Sequence, residues 1–252
     1  MIAIDGVSLT LQGTPILHDV SATLPKGELI ALIGPNGAGK SSLLSLVARL
    51  IPLQSGRITV DGLPVDRTPG RRLARTLTIM RQDTGLAARL TVRELVGFGR
   101  FPHSRGRLTD EDRRHIAAAL AEFDLTELAG RTLDALSGGQ RQRAFVAMAF
   151  CQGTDYLLLD EPLNNLDMMY GRQMMRILRH LVDRQGRTVV IVLHDINYAA
   201  AYADRIVAMK DGRIIASGPP DAVLTTDGLE AMYGYRMPVH RIGDRLFIPH
   251  HD

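Results

Sequence analysis

With one cysteine, Cys151, in 252 residues, no disulfide can close within this chain, which fits a reducing compartment. Cys151 itself reads as a small core residue. Also missing is any apolar run near the roughly 18 residues of a membrane-crossing helix, and no charged-then-apolar leader occupies Met1–Leu11. The expectation is a chain that neither spans a membrane by itself nor is secreted. Charge of one sign is scarce as well: 30 Lys and Arg against 27 Asp and Glu leave +3, with no basic run dense enough for a nucleic-acid arm. That small excess suits anionic nucleotides or a nearby lipid surface. The terminal His250, His251 and Asp252 have the side chains to chelate a metal but read first as a solvated end.

What the chain does have is GPNGAGKSS, Gly34 to Ser42, which fits the phosphate-loop pattern G-x-x-x-x-G-K-[ST] at every fixed position. Gly34, Gly37 and Gly39 let the backbone take conformations closed to residues with a Cβ, so that successive N–H groups converge on an anion. Pro35, Asn36 and Ala38 fill the loop between them. Lys40 brings a compact positive charge to the outer phosphates, and the hydroxyl of Ser41, followed by Ser42, can ligate Mg²⁺ at a helix N-terminus. The context agrees: Leu29–Ile33 is an unbroken apolar run suited to a strand buried on both faces, and Leu43, Leu44, Leu46, Val47 and Leu50 recur at helical spacing.

Around this unit, Ile2–Gly27 and Arg57–Val65 read as antiparallel strands and turns, with Asp61-Gly62 a hairpin signal. Arg71–Met80 alternates basic and apolar residues. Thr91–Gln152 is helical in texture, with capping boxes at Thr91/Glu94 and Thr109/Asp112 and a Gly-, Pro- and Arg-rich connector at Gly97–Arg107. Met174–Val182 reads as an amphipathic helix, and Met168, Met169, Met174 and Met175 as core filler. Lys210-Asp211-Gly212 is a second hairpin turn, while Asp221–Asp252 mixes a short helix with a basic strand and offers no recognisable chemistry.

Three further stretches carry chemistry. In LSGGQ, Leu136–Gln140, Ser137 and Gln140 make another capping box; Gly138 and Gly139 weaken a helix start but allow a phosphate to approach the backbone. Tyr156–Leu159 is a buried strand delivering Asp160 and Glu161 at its carboxyl end, where open α/β sheets place ligands. Asp160 suits Mg²⁺, and Glu161 suits the polarisation of an attacking water. The strand Thr188–Leu193 ends in His194, placed to touch a γ-phosphate.

Together and in this order, these motifs resemble the ATP-binding cassette (ABC) ATPases over essentially the whole chain. The resemblance implies an α/β fold: a P-loop NTPase core with an antiparallel β subdomain and an inserted α-helical subdomain. On this reading residues 1–252 are a single ABC ATPase domain, with 1–84 and 153–252 as the core and 85–152 as the helical part bearing LSGGQ. The family pattern makes Gln82 the Q-loop glutamine and a Mg²⁺ ligand with Ser41 and Asp160. It makes Glu161 the catalytic base, Asn164–Asp167 the D-loop and His194 the switch histidine. Two cassettes pair head to tail, so that Ser137, Gly138, Gly139, Gln140 and Asp167 of one copy face the ATP held by the other. Cofactors are then ATP and Mg²⁺. Partners are a second copy, transmembrane permease subunits and, indirectly, a substrate-binding protein, but no nucleic acid, at the cytoplasmic face of the inner membrane.

The chain departs from the family pattern at two places. Gln12 stands before Gly13 where cassettes carry an adenine-stacking aromatic, and the D-loop has Asn-Asn where Ser-Ala is commoner. Cassettes acting on DNA carry coiled-coil or zinc insertions and translation factors come as tandem pairs; neither feature is present. A GTPase reading lacks an N-K-x-D motif and leaves LSGGQ unexplained. GRFPH (Gly99–His103), HDIN (His194–Asn197) and Tyr233-Gly234 are similar to importers of ferric siderophores, haem and cobalamin, and most similar to the siderophore branch.

Overall fold

The computed structural model describes residues 1–81, 89–164 and 166–249. In chain order its elements are β1 (Ile2–Leu11), β2 (Thr14–Leu24), β3 (Leu29–Ile33), α1 (Lys40–Val47), β4 (Arg57–Val60), β5 (Leu63–Pro64), α2 (Gly70–Thr76), β6 (Leu77–Met80), α3 (Val92–Phe98), α4 (Phe101–Ser104) and α5 (Asp110–Glu122). There follow α6 (Gly138–Cys151), β7 (Tyr156–Leu159), α7 (Met168–Gln185), β8 (Thr188–Val192), α8 (Ile196–Tyr202), β9 (Arg205–Lys210), β10 (Arg213–Gly218), α9 (Pro220–Val223), α10 (Thr226–Tyr233), β11 (His240–Ile242) and β12 (Arg245–Phe247). The chain divides into two units, Met1–Thr68 with Thr188–Asp252, and Pro69–Arg187.

In the first unit an antiparallel sheet runs in the order β2-β1-β4-β5. Beside it, β3 pairs in parallel with both β8 and β9, and β10 returns antiparallel along β9. Every residue of β3 and β8 is buried, which is why both read as unbroken apolar runs rather than alternating ones. Three turns share one geometry: Gln12 and Gly13 (φ 49° and 79°), Asp61 and Gly62 (47° and 75°), Asp211 and Gly212 (47° and 70°). Positive φ at both central positions is the turn whose twist matches the flanking strands, and it favours Asp-Gly.

In the second unit β6 and β7 pair in parallel, and α3, α5 and α6 pack against one another. Each of these helices starts with the capping box read from sequence: Thr91 with Glu94, Thr109 with Asp112, Ser137 with Gln140. Under them lies a buried ion pair, Arg100 Nε to Asp112 Oδ1 at 2.9 Å, whose guanidinium also donates to the Cys151 carbonyl. Cys151 is buried, and burial pushes its thiol up to about 12.

Several expectations are corrected. The alternation in 71–80 is a helix followed by a strand, α2 then β6, and the connector 97–107 contains a helical turn, α4, begun by Pro102 near its N-terminus. Leu50 is exposed, because α1 ends at Val47 and Arg49 turns into the left-handed region (φ 55°). Met174 and Met175 are core, but Met168 and Met169 are 87% and 63% exposed, since they open α7 directly after its cap at Asp167. The short helix and basic strand read after Asp221 are two helices, α9 and α10, and a β11–β12 hairpin.

Candidate functional site

In the first unit, β3 feeds directly into the glycine-rich loop. Gly34, Gly37 and Gly39 have φ of 142°, 81° and 94°, all in the region that favours glycine. At Gly34 the restriction is also spatial: a Cβ there would lie 2.0 Å from the Met209 carbonyl oxygen at the end of β9. At Gly39 it would lie 2.6 Å from Leu17 Cδ2. The loop is therefore pressed against its own unit on one side, leaving Asn36 and Gly37 exposed on the other.

Gly39 caps α1 without a side chain, so no N-cap side chain stands over the helix N-terminus, the end of a helix that favours an anion. Lys40 is only 5% exposed and folds back over the loop, donating from Nζ to the carbonyls of Gly34 and Pro35 at 2.8 Å each. Those two bonds hold the ammonium over the loop, where its positive charge suits a phosphate oxygen. Ser41 and Ser42 follow in the first turn of α1, half-buried. His194 lies on an exposed bend after β8, immediately before Asp195, which caps α8 by accepting from the Asn197 amide at 2.8 Å.

One neighbour of the loop carried no role in the sequence reading. Tyr233, at the end of α10, takes a hydrogen bond from the Gly34 amide; burial still pushes its phenol up to about 12. A separation of 199 residues leaves no local signal for that contact. Gln12, in turn, sits exposed in a positive-φ turn where an aromatic side chain would be strained, and the apolar side chain exposed beside it is Leu11.

In the second unit Asp160 is 5% exposed at the end of β7, its amide donating to the Met80 carbonyl at 2.9 Å. Glu161 follows with φ 52°, unusual for a residue other than glycine, and its carboxylate receives the Asn164 amide. Backbone held this way persists only where its surroundings enforce it. Ser137 and Gly138 lie exposed and Gly139 half-buried at the start of α6, with Ser137 Oγ accepting from the Gln140 amide at 3.2 Å and Gln140 Oε1 accepting from the Ser137 amide at 3.1 Å. Asp167 caps α7 through the Tyr170 amide at 2.9 Å. Gln82 and Asn165 lie outside the described residues.

Taken separately, the Ser41 hydroxyl of the first unit and the buried Asp160 carboxylate of the second are hard oxygens, the donor type Mg²⁺ prefers. Among the described residues no group of three or more His, Cys, Asp and Glu could hold a metal alone. Either oxygen has the chemistry to ligate a Mg²⁺ that arrives with bound phosphates.

The profile of the ABC transporter family matches residues 17–164. The chain is 46% identical to the petrobactin import ATP-binding protein YclP of Bacillus subtilis over 245 residues, 97% of each protein. It is 48% identical to the petrobactin import ATP-binding protein FatE of Bacillus anthracis over 239 residues, covering 95% of this chain and 96% of the relative. Among solved structures it resembles a dimeric ATP-binding cassette in a post-hydrolysis state bound to ADP and Pi, with TM-score 0.78 and 28% identity over 87% of this chain and 99% of that one. This chain belongs to the ABC transporter family.

Proposed function

We propose that the chain is the ATP-hydrolysing subunit of a membrane importer, acting as a pair of identical cassettes on permease subunits at the cytoplasmic face of the inner membrane, with a ferric siderophore as cargo. The observation that carries this reading is the end-to-end likeness to two petrobactin import ATP-binding proteins, joined to a glycine loop with a buried Lys40. No described helix is long and apolar enough to cross a membrane, and in this reading the permease subunits supply the cargo path.

The chemistry divides among the residues as follows. The loop amides from Gly34 to Ser42 and the Lys40 ammonium hold the outer phosphates. Glu161 takes a proton from the attacking water and His194 holds the γ-phosphate in place. Mg²⁺, held by Ser41, Asp160 and Gln82, would neutralise charge on the phosphate oxygens. Ser137, Gly138, Gly139 and Gln140 of one copy, with its Asp167, close over the ATP of the other. Two copies therefore share each nucleotide, and loss of the γ-phosphate removes the contacts that hold them together, a population shift between closed and open pairs.

Docking on the permease is supported by an apolar groove of about 540 Å³ on the helical unit, lined by Leu90, Gly97, Phe98, Phe101, Leu108 and Ile116 among others. Phe98 and Phe101 are 51% and 62% exposed, a costly arrangement for a surface that meets only water. The GRFPH run accounts for this shape. A Cβ on Gly99 would lie 2.2 Å from the Met148 carbonyl oxygen, and His103 Nε2 is 2.9 Å from the Gln152 carbonyl oxygen. With Arg100 turned inward to Asp112, Phe101 is left facing out.

The test is a strain lacking this chain, grown with ferric siderophore, haem or cobalamin as the limiting nutrient and complemented by wild type or by Lys40→Ala. Ferric siderophore uptake should fail in the deletion and return only with wild type. Normal siderophore uptake alongside failed uptake of haem or cobalamin would reject the cargo and leave the ATPase intact.

A further inference from the structure

The segment after β10 takes no part in the chemistry just described, yet it is built against the elements that carry it. Lys210 Nζ donates to the Ala231 carbonyl at 2.5 Å, fastening α10 to the end of β9 next to Gly34. Further along, Asn197 in the first turn of α8 clasps Ile248 with both ends of its side-chain amide. Its Nδ2 donates to the Ile248 carbonyl at 3.0 Å and its Oδ1 accepts from the Ile248 amide at 2.9 Å. Both backbone polar groups of a fully buried residue are thus satisfied by one side chain, as a neighbouring strand would satisfy them.

The position of α8 matters because of what precedes it. At seven residues it is too short to hold a shape alone, and it takes its seat from packing on β3, α9 and β12. His194 lies on the bend between two fixed points. Before it, the Leu193 amide donates to the Leu32 carbonyl at 3.1 Å; after it, Asp195 caps α8. The first anchor belongs to the sheet. The second moves with α8, so whatever seats α8 also places the backbone on the far side of His194.

We propose that Asn197 is a positioning residue for ATP hydrolysis: by clasping Ile248 it seats α8 on the C-terminal hairpin and so aims His194. This rests on the role given to His194 above. The geometry needs a donor and an acceptor two bonds apart on one side chain. Asp keeps only acceptors, and Ala keeps neither.

The experiment compares the full-length chain, together with the membrane proteins that co-purify with it, as wild type, Asn197→Ala, Asn197→Asp, His194→Ala and the His194→Ala/Asn197→Ala double variant. Steady-state ATP hydrolysis and the urea midpoint are measured for each. Asn197→Ala and Asn197→Asp should each lower kcat about tenfold while KM for ATP stays within about twofold, and the double variant should be no slower than His194→Ala. A plain structural staple would instead lower the urea midpoint at unchanged kcat per folded molecule, or its loss would multiply with that of His194→Ala; either result overturns the proposal. If His194→Ala turns over at the wild-type rate, the histidine's role falls and the positioning role with it. If His194→Ala is slow and Asn197→Ala is not, only the positioning role falls.

Discussion

The side-chain amide of Asn164 donates a 2.5 Å hydrogen bond to Oε2 of Glu161, across a turn in which the Asn164 backbone amide also reaches the Glu161 carbonyl at 3.3 Å. Glu161 is held there with φ 52°, a conformation that costs of order 1–3 kcal/mol unless neighbours enforce it. Where the family pattern has Ser in the D-loop, this chain has a longer side chain with a donor that reaches the carboxylate. Hydrogen bonds to charged groups contribute about 1.5–3 kcal/mol. Asn164→Ala should therefore lower kcat by roughly tenfold or more with ATP affinity unchanged, as read by steady-state hydrolysis and by nucleotide titration.

Substitutions at Glu161 and Lys40 should separate chemistry from binding. Glu161→Gln is expected to keep ATP affinity while turnover falls by about 10²–10⁴, the range ascribed to general acid–base catalysis. Lys40→Ala removes the ammonium now bonded to the Gly34 and Pro35 carbonyls and should lose affinity for ATP itself. Equal behaviour of the two variants in titration would show that the roles are not divided this way.

The glycines of the loop should differ sharply in tolerance. Gly34→Ala places a Cβ 2.0 Å from the Met209 carbonyl oxygen and should destabilise the fold severely, by about 3 kcal/mol or more in urea unfolding. Gly37 also has positive φ, but nothing lies within 4 Å of its Cβ position, so Gly37→Ala should cost only the left-handed penalty of about 1–2 kcal/mol.

Sequence was informative where the cause of structure is local. Each capping box spans four residues, and each Asp-Gly turn carries its φ requirement in two, so Thr91, Thr109, Ser137, Asp61 and Asp211 could be read directly. It was poor where a residue answers to a distant partner. Nothing around Tyr233 indicates the Gly34 amide, and Asn197 and Ile248 are 51 residues apart with no pattern linking them. The split of 71–80 into helix and strand was hidden because alternating basic and apolar residues satisfy either period over so short a run.

The Arg100–Asp112 pair makes a pH prediction for stability. Burial pushes the Asp112 carboxyl up, but hydrogen bonds from the Thr109 amide, Arg100 and the Thr109 hydroxyl outweigh it and hold it at about 2, below its ordinary 3.8. A depressed acid stabilises the fold above its unfolded value and loses that contribution as pH falls, here between about pH 4 and pH 2. Asp112→Asn should flatten the unfolding curve in this window. It should also cost about 3–5 kcal/mol at neutral pH, because Arg100 is left buried without its partner.

The central claim, that ATP is held between two copies of this chain, is tested most directly by the mass of Glu161→Gln in solution by light scattering, with and without ATP. The expected result is a monomer that doubles in mass on ATP and returns to monomer when Ser137→Arg is added, because an arginine at the exposed start of α6 blocks the second copy's nucleotide. A Glu161→Gln protein that binds ATP and remains a monomer, or a dimer whose mass ignores both ATP and Ser137→Arg, would contradict it.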